Sequence, residues 1–583
     1  MKRTHTCGDL TEKEIGKEVL LQGWVSTRRD HGGVIFVDLR DRYGLTQVVF
    51  NPDIKDFPKA EKLRREDVIE IRGNVRNRPK NMENPKMKTG MIEVLVKNLE
   101  ILNKAETPPL EVDDRVVAAD EVRLKYRYLD LRRPIMQKLL QSRFAAAMAA
   151  RQFLQSQGFI EIETPMLVRS TPEGARDYIV PSRVHPGKFY ALPQSPQLYK
   201  QICMVAGLDK YFQFARCLRD EDLRMDRQPE HTQIDVEMSF VRPEDVFQVV
   251  EGIMKSIWET KGIKLQTPFP RIPYDAAMEK YGSDKPDLRY DLFLHDVTDI
   301  VKDSDFEVFK NVIKNGGIVK CINPEADFSR NEVDDLISFS QQQGSKGMAW
   351  MKITGKGLEG SIIKYFPSEI QKKLLEKTKA KKGYLFFIAD SMKNTNAILD
   401  KLRRELARRL KLIQANDFQF CWITEFPLFE WNEEEEKWDP CHHMFCMPLE
   451  EDLKHLEDDP GKVKCTQYDI VLNGVELGSG SIRINRPDIQ ERVMKVIGLT
   501  HKDVERKFGF LIEAFKYGAP PHGGIGLGFD RVVTLLNGLE DIREVIAFPK
   551  NKAAECPMDQ SPSEVEEKQL KELHLKLDVG KKK

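Results

Sequence analysis

The chain lacks net charge: Lys and Arg total 92, as do Asp and Glu. That excludes a global basic field, so any contact with nucleic acid must come from local patches. Cysteine is sparse, nine scattered over 583 residues. With no CxxC pair and no even framework, a disulfide scaffold is excluded, and reduced thiols in a cytoplasmic compartment are expected. No stretch reaches the ~18 apolar residues of a membrane span. The start, MKRTHTCGDL, has no apolar core for a signal peptide. No internal repeat is present, and low complexity is confined to Lys581-Lys582-Lys583, read as a frayed tail.

What is present suits a large mixed protein. Hydrophobic residues make up 40% and charged residues 32%, enough for roughly three or four cored domains. Residues 18–103 hold five strand candidates: 19–25, 34–39, 45–50, 68–73 and 92–96, with a short helix expected at Lys59–Glu66. Five strands with a helix between the third and fourth give the order of an OB-fold barrel. Arg28, Arg29, Phe36, Arg40, Arg42 and Gln47 lie on or beside its first three strands, a pattern that suits base stacking beside cations. The bland alternative places Phe36 in the core. The expected divisions are a barrel at 1–104, a linker at 105–135 whose basic run from Arg123 to Arg133 could follow a nucleic-acid backbone, a first catalytic part at 136–285, an inserted α/β domain at 286–415, a second catalytic part at 416–560 and a tail at 561–583.

Chemistry gathers in three stretches. Ala215–Phe240 packs Arg216, Arg219, Asp220, Glu221, Asp222, Arg224, Asp226 and Arg227 into a loop, then alternates as a strand, Gln233-Ile234-Asp235-Val236-Glu237-Met238. One wet, charged face suits a phosphate-bearing substrate, with Arg as a bidentate donor. Gln467–Ile484 reads as two strands joined by Asn473-Gly474, a hairpin signal. Asp469 and Glu476 sit on opposite arms and suit magnesium as oxygen ligands. Gly478 and Gly480 leave room for a substrate, and Arg483 is a candidate anion clamp. Gly518–Val533 is a glycine-rich strand entering a helix at Asp530. It matches neither GxGxxG nor a GKS/GKT ending. Glycines at 524, 526 and 528 leave a flat face for a planar ring, with Arg531 placed to hold phosphate. Lys200 follows a candidate Ser195 cap, and a cation at a helix start calls for an anionic partner. Cys441-His442-His443 and Cys446 invite a zinc reading, but adjacent histidines on a strand point apart, which favours a substrate-contacting or packing histidine.

Taken together, Phe159–Pro165, Ala215–Phe240 and Gly518–Leu536 resemble the three signature motifs of class II aminoacyl-tRNA synthetases. The barrel, Ser170–Asp177, Gln194–Gln201 and the insert resemble the bacterial-type aspartyl-tRNA synthetases. The resemblance covers nearly the whole chain. It implies an α+β protein: an N-terminal OB-fold barrel, an antiparallel six-stranded catalytic sheet with flanking helices, an inserted α/β domain, and a cytoplasmic homodimer with the strand near Pro165 at its interface. It also implies the reaction, in which aspartate and ATP give aspartyl-adenylate and pyrophosphate, after which the aspartyl group passes to tRNA(Asp), with tRNA(Asn) left open.

The same resemblance assigns roles. Arg219, Glu476 and Arg531 would be catalytic. Arg219, Asp220, Glu221, Gln228, Glu476, Gly528, Phe529, Asp530 and Arg531 would bind ATP. Glu173, Gln197, Lys200, Arg219, Asp235, His442 and Arg483 would hold aspartate. Asp469, Glu476 and Ser479 would ligate Mg2+. Arg29, His31, Phe36, Gln47 and Glu93 would read the anticodon. An asparagine- or lysine-type synthetase, a silent tRNA-binding relative and an asparagine-forming relative are the alternatives. Lys200 and Arg483 argue for an anionic amino acid, and the presence of Arg219, Glu476 and Arg531 argues against a silent relative.

Overall fold

Alternation of apolar and polar residues closes the N-terminal barrel. β1 (Glu18–His31), β2 (Val34–Asp41), β3 (Gly44–Phe50), β4 (Val68–Asn77) and β5 (Ile92–Asn103) close in the order β1-β2-β3-β5-β4. Val25, Ile35, Val37, Leu39, Val48 and Ile71 fill it with no exposure. The structure, a computed structural model, describes residues 2–171, 176–221 and 226–579. The short helix is Phe57–Ala60 rather than Lys59–Glu66. Pro58 favours an early start, and Glu66 adopts φ 68°, which no helix continues through. Glu66 is instead held by Arg40 at 2.7 Å and by Arg132 at 2.8 Å.

The chain divides into two compact units, Met1–Phe144 with Asp222–Pro229 and Leu539–Gln569, and Ala145–Glu221 with Glu230–Gly538 and Leu570–Lys583. In the first unit the basic run before α1 (Pro134–Ser156) is packed, not free. Arg123, Arg127 and Arg133 surround Asp130, which has no exposure, at 3.1, 2.6 and 3.0 Å. Arg123 also pairs with Glu544, and Arg127 donates to the carbonyls of Arg543, Ile546 and Ala547. These guanidiniums are spent on protein partners, so they do not line a nucleic-acid path.

The second unit is built on an eight-stranded sheet. Its strands are β6 (Ile160–Glu161), β7 (Lys210–Leu218), β8 (Glu230–Ser239), β9 (Arg271–Pro273), β10 (Phe420–Thr424), β11 (Gln467–Leu472), β12 (Val475–Ile482) and β13 (His522–Gly528), ordered β9-β10-β11-β12-β13-β8-β7-β6. The six central strands are antiparallel, as expected. β9 and β6 add one short parallel strand at each edge. The Asn473-Gly474 turn takes φ 52° and 83°, the two positive values of a type I′ hairpin. β6 is only two residues long, because it meets β7 at Ile160 and Glu161 alone. α2 (Gln197–Val205) packs on β8, α3 (Met392–Arg409) lies in the insert, and α4 (Phe529–Leu536) follows β13. The insert carries its own five-stranded sheet, in spatial order Leu294–Asp296, Ile318–Ile322, Gly383–Asp390, Ala349–Thr354 and Gly357–Glu359, antiparallel throughout. Among the described residues no helix is long and apolar enough to cross a membrane.

Candidate active site and anticodon face

Period-two alternation on β8 puts Asp235 and Glu237 on one face. Helix α2 supplies Lys200 to that face. Its Nζ lies 3.1 Å from Asp235 Oδ1 and 3.3 Å from Glu237 Oε2, with the side chain 2% exposed. This is the anionic partner that a cation at a helix start demands. Arg483, just past β12, reaches Glu237 from the other side, Nε to Oε1 at 3.0 Å and Nη2 to Oε2 at 3.2 Å. Its Nη1 lies 2.9 Å from Ser481 Oγ and 3.0 Å from His443 Nε2. Burial pushes the Glu237 carboxyl up, but Arg483 and Lys200 more than offset it, so it stays below its ordinary value. Asp235 is raised by burial, which Lys200 only partly opposes.

The pair crosses β13, and that explains one glycine. Gly524 is opposite Glu237 on β8 and opposite Ser481 on β12. A Cβ there would stand 2.2 Å from Glu237 Oε2 and 2.0 Å from Val236 O. Gly480, expected to admit a substrate, is instead demanded by strand contact: its Cβ would meet Gly524 O at 2.1 Å.

A chain of amides ends the pocket. Gln197 Nε2 donates to Gln201 Oε1 at 3.0 Å, and Gln201 Nε2 reaches His522 Nε2 at 3.1 Å. His522 Nδ1 lies 2.8 Å from Pro520 O, which fixes that nitrogen as the proton carrier and Nε2 as the acceptor. Of the two adjacent histidines, His443 touches Arg483. His442 stacks edge-on against Phe426 at 4.9 Å, and Glu476 and Asp284 act on it electrostatically. Burial, then Arg483, keeps His443 neutral.

The hairpin brings the expected metal ligands together. Asp469 pairs with Ser479 across β11 and β12, and Glu476 precedes Ser479 on the same arm. Gln467 Nε2 donates to Ser479 Oγ at 2.7 Å and to Asp469 Oδ1 at 3.2 Å. Asp469 Oδ2 is buried without a hydrogen-bond partner. Burial, then Glu476, raises the Asp469 carboxyl well above its ordinary value. Glu476 is lowered: burial raises it, but Lys285, whose Nζ is 2.9 Å from Oε2, outweighs that. Among the described residues no group of three or more His, Cys, Asp or Glu is placed to hold a metal ion. The donors on offer are two carboxylates and a hydroxyl, a hard oxygen set that fits magnesium and would be completed by phosphate oxygens.

The remaining expected ATP residues divide. Arg219 Nε is 3.4 Å from Gln194 O, and Arg531 Nη1 donates to Glu476 O at 2.5 Å, which places a cation behind the hairpin. Asp220 bridges to Arg176, and Glu221 is half-buried. Phe529 is buried edge-on against Phe214 at 5.2 Å, and Asp530 Oδ2 accepts from Thr232 N–H at 2.8 Å. Both side chains thus have protein partners. Gln228, in the first unit, spends its amide on Lys550 N–H at 2.8 Å and Lys550 O at 3.2 Å. Glu173 lies outside the described residues.

On the barrel, the five expected anticodon residues form one face. Phe36 is half-buried while its neighbours Ile35 and Val37 have no exposure, so the core alternative for Phe36 is ruled out. His31 meets Phe36 edge-on at 5.9 Å, and Arg29 is its register partner. A polar ladder runs from Arg76 to Glu93 at 2.8 Å, Glu93 to Gln47 at 2.8 Å, Gln47 to Arg29 at 3.4 Å and Arg29 to Asp38 at 2.9 Å.

Sequence reasoning did not single out Glu237, Gln201, His443, His522, Lys285 or Arg76 as site residues. Glu237 was signalled by its period-two relation to Asp235, and His443 by adjacency to His442. Lys285 carried no local signal.

A barrel of this topology in one unit and, in the other, a sheet with six central antiparallel strands, buried cations and paired carboxylates are the two parts of the class II synthetase architecture. The crystal structure of asparaginyl-tRNA synthetase from Pyrococcus horikoshii complexed with asparaginyl-adenylate shares it, with TM-score 0.58 and 20% identity, covering 94% of this chain and 98% of that one. Residues 119–552 match the tRNA synthetases class II (D, K and N), and residues 19–102 match the OB-fold nucleic acid binding domain. The chain belongs to the class II tRNA synthetase (D, K and N) family, and it is an aminoacyl-tRNA ligase. It is 50% identical to the aspartate–tRNA(Asp/Asn) ligase of Caldanaerobacter subterraneus subsp. tengcongensis over 99% of both chains. It is 52% identical to that of Heliobacterium modesticaldum over 99% of this chain and 97% of the other.

Proposed function

We propose that this chain activates L-aspartate with ATP and transfers it to both tRNA(Asp) and tRNA(Asn). The observation that carries the amino-acid assignment is the burial of two cations, Lys200 and Arg483, in one cluster with Asp235 and Glu237. A buried, hydrogen-bonded cation pair favours an acid over its amide. His443 adds to this. Its Nδ1 faces the Phe445 N–H at 3.2 Å and its Nε2 faces an Arg483 N–H. A neutral imidazole can accept at one nitrogen only. With Nδ1 as the acceptor, Nε2 and Arg483 Nη1 are two donors 3.0 Å apart, a contact that an acceptor such as a carboxylate oxygen would relieve. Gln197, at the mouth of the amide chain, suits the substrate ammonium.

Activation joins an anionic carboxylate to an anionic phosphorus, so charge neutralisation and positioning have to do most of the work. Arg219 would bridge the α-phosphate and the attacking carboxylate. Arg531, braced on Glu476 O, would face the departing phosphates. Asp469, Glu476 and Ser479 would hold Mg2+, which would neutralise phosphate charge and align the chain for in-line displacement. The adenine ring would lie over Gly528. No side chain becomes a covalent nucleophile.

The barrel face suits the anticodon: Phe36 offers a stacking surface, and the Arg29–Gln47–Glu93 ladder holds donors and acceptors rigid. The Asp30–Gly33 loop beside it supports the second tRNA. Gly32 and Gly33 take φ 63° and 84°, values that glycine adopts without strain, and His31 is exposed at the turn. Homodimerisation is read from exposed apolar side chains, Phe144 and Met148 one turn apart on α1 and Ile160, Met166 and Leu167 after it. A reducing, cytoplasmic setting is read from the nine free cysteines. ATP–pyrophosphate exchange with each of the twenty amino acids tests the assignment. Exchange with aspartate alone is expected, and comparable exchange with asparagine or lysine would overturn it.

A further inference from the structure

One cation of the hairpin cluster is used by none of these roles. Lys285 follows the helix Tyr274–Tyr281 and stands at the entry to the inserted domain. Its Nζ is 2.9 Å from Glu476 Oε2. Its backbone is fixed from the insert. Arg404, on α3, donates Nη2 to Lys285 O at 3.1 Å and Nη1 to Gly474 O at 3.2 Å, the tip of the hairpin that carries Asp469 and Glu476. Asp400, one turn earlier on α3, holds that guanidinium with both oxygens at 3.1 Å. The preceding Arg403, with no exposure, binds the carbonyls of Asp287, Tyr290 and Leu292 at 2.8, 2.8 and 2.6 Å. Two consecutive arginines of the insert thus fix the segment that presents Lys285, and one of them also grips the hairpin.

We propose that Lys285 is the built-in counter-ion of the Asp469–Glu476 pair, standing at Glu476 Oε2 where a divalent cation would otherwise bind, and that Arg404 of the inserted domain holds it there. This rests on reading the pair as magnesium ligands. Glu476 acts electrostatically on the buried Asp469 carboxylate; like charges repel, and a single ammonium relieves that repulsion without matching a divalent ion. It keeps Glu476 in place while the site is free of nucleotide, and it competes with any cation that arrives without ATP. A metal–nucleotide complex displaces it, because the four-carbon stem lets Nζ swing from the carboxylate to phosphate oxygens. The insert, distant in sequence from every motif, thereby acts on the reaction as a support for one lysine.

The test is Mn2+ titrated into the full-length, nucleotide-free protein, with free Mn2+ read by electron paramagnetic resonance and folding by circular dichroism. Lys285→Gln is expected to bind Mn2+ about tenfold more tightly than wild type, because a competing charge is gone. Lys285→Arg keeps the charge and should restore wild-type affinity. Arg404→Gln, which leaves Lys285 present but unsupported, should move in the same direction as Lys285→Gln, and it serves alone if that variant does not fold. Adding Glu476→Gln to Lys285→Gln should abolish the gain. Unchanged affinity in Lys285→Gln, with Glu476→Gln still weakening Mn2+ binding, overturns the counter-ion role and leaves the metal reading standing. A gain that survives Glu476→Gln places the metal elsewhere and overturns both. Wild-type affinity in folded Arg404→Gln overturns the part given to the insert.

Discussion

Arg483 and Glu237 meet as a two-pronged ion pair, at 3.0 and 3.2 Å, across the intervening strand β13. They do so only because position 524 has no side chain. Gly524→Ala would put a methyl 2.2 Å from Glu237 Oε2. Loss of roughly 1–3 kcal/mol of stability is expected from the overpacking, seen as a lower Tm. The kcat/KM for aspartate in pyrophosphate exchange should fall at least about a hundredfold, the cost of about two charge-assisted hydrogen bonds. Wild-type exchange would show that the ion pair does not shape the pocket.

Glu237 also sets an acid limit. Its folded pKa lies below its ordinary 4.5 because Arg483 and Lys200 outweigh burial. As pH falls through the ordinary value, the unfolded chain takes the proton first, so the stabilisation is complete above it and is lost as pH drops through the folded value. Glu237→Gln lacks this limb. Its stability should be lower at pH 7 by about 3–5 kcal/mol, since two buried cations lose a partner, and flatter than wild type on acidification. Parallel Tm–pH curves would show that folding does not shift the titration of Glu237.

Much of this pocket was legible in the sequence, and the reason is local. Asp235 lies on an alternating strand, Lys200 on a helix start where a cation needs an anion, and Asp469 and Glu476 on arms joined by Asn-Gly. Each of those signals is carried within a few residues. Arg404 and Lys285 are 119 positions apart and sit in segments with ordinary patterns, so only the folded chain brings them together. Phe529 and Asp530 show the opposite limit: the motif was legible, but that one ring packs on Phe214 and one carboxylate caps a strand N–H depends on tertiary contacts. The basic run from Arg123 to Arg133 is a third case, since its buried partner Asp130 lies inside the run and composition does not reveal burial.

Arg219→Ala should reduce ATP–pyrophosphate exchange by about a thousandfold or more, the scale of losing one preorganised charge donor. The anticodon face belongs to the barrel, so binding of tRNA transcript, measured by filter retention, should change less than about twofold. Collapse of tRNA binding with exchange intact would reverse the two assignments.

Phe36→Ala should weaken tRNA charging by roughly 1–3 kcal/mol, the worth of one base–aromatic stack. Aspartate-dependent exchange without tRNA should be untouched, because Phe36 lies on the barrel rather than on the catalytic sheet. A matching fall in exchange would mean that the barrel had been disrupted rather than its face.

The most direct measurement offers purified enzyme, ATP and labelled aspartate to tRNA(Asp) and tRNA(Asn) transcripts at equal concentration. Both should be charged, with kcat/KM values within about tenfold, roughly 1.4 kcal/mol, and His31→Leu should widen the gap. Charging of tRNA(Asn) hundreds of times less efficiently would contradict the two-tRNA account, and failure to charge either transcript with aspartate would contradict the assignment as a whole.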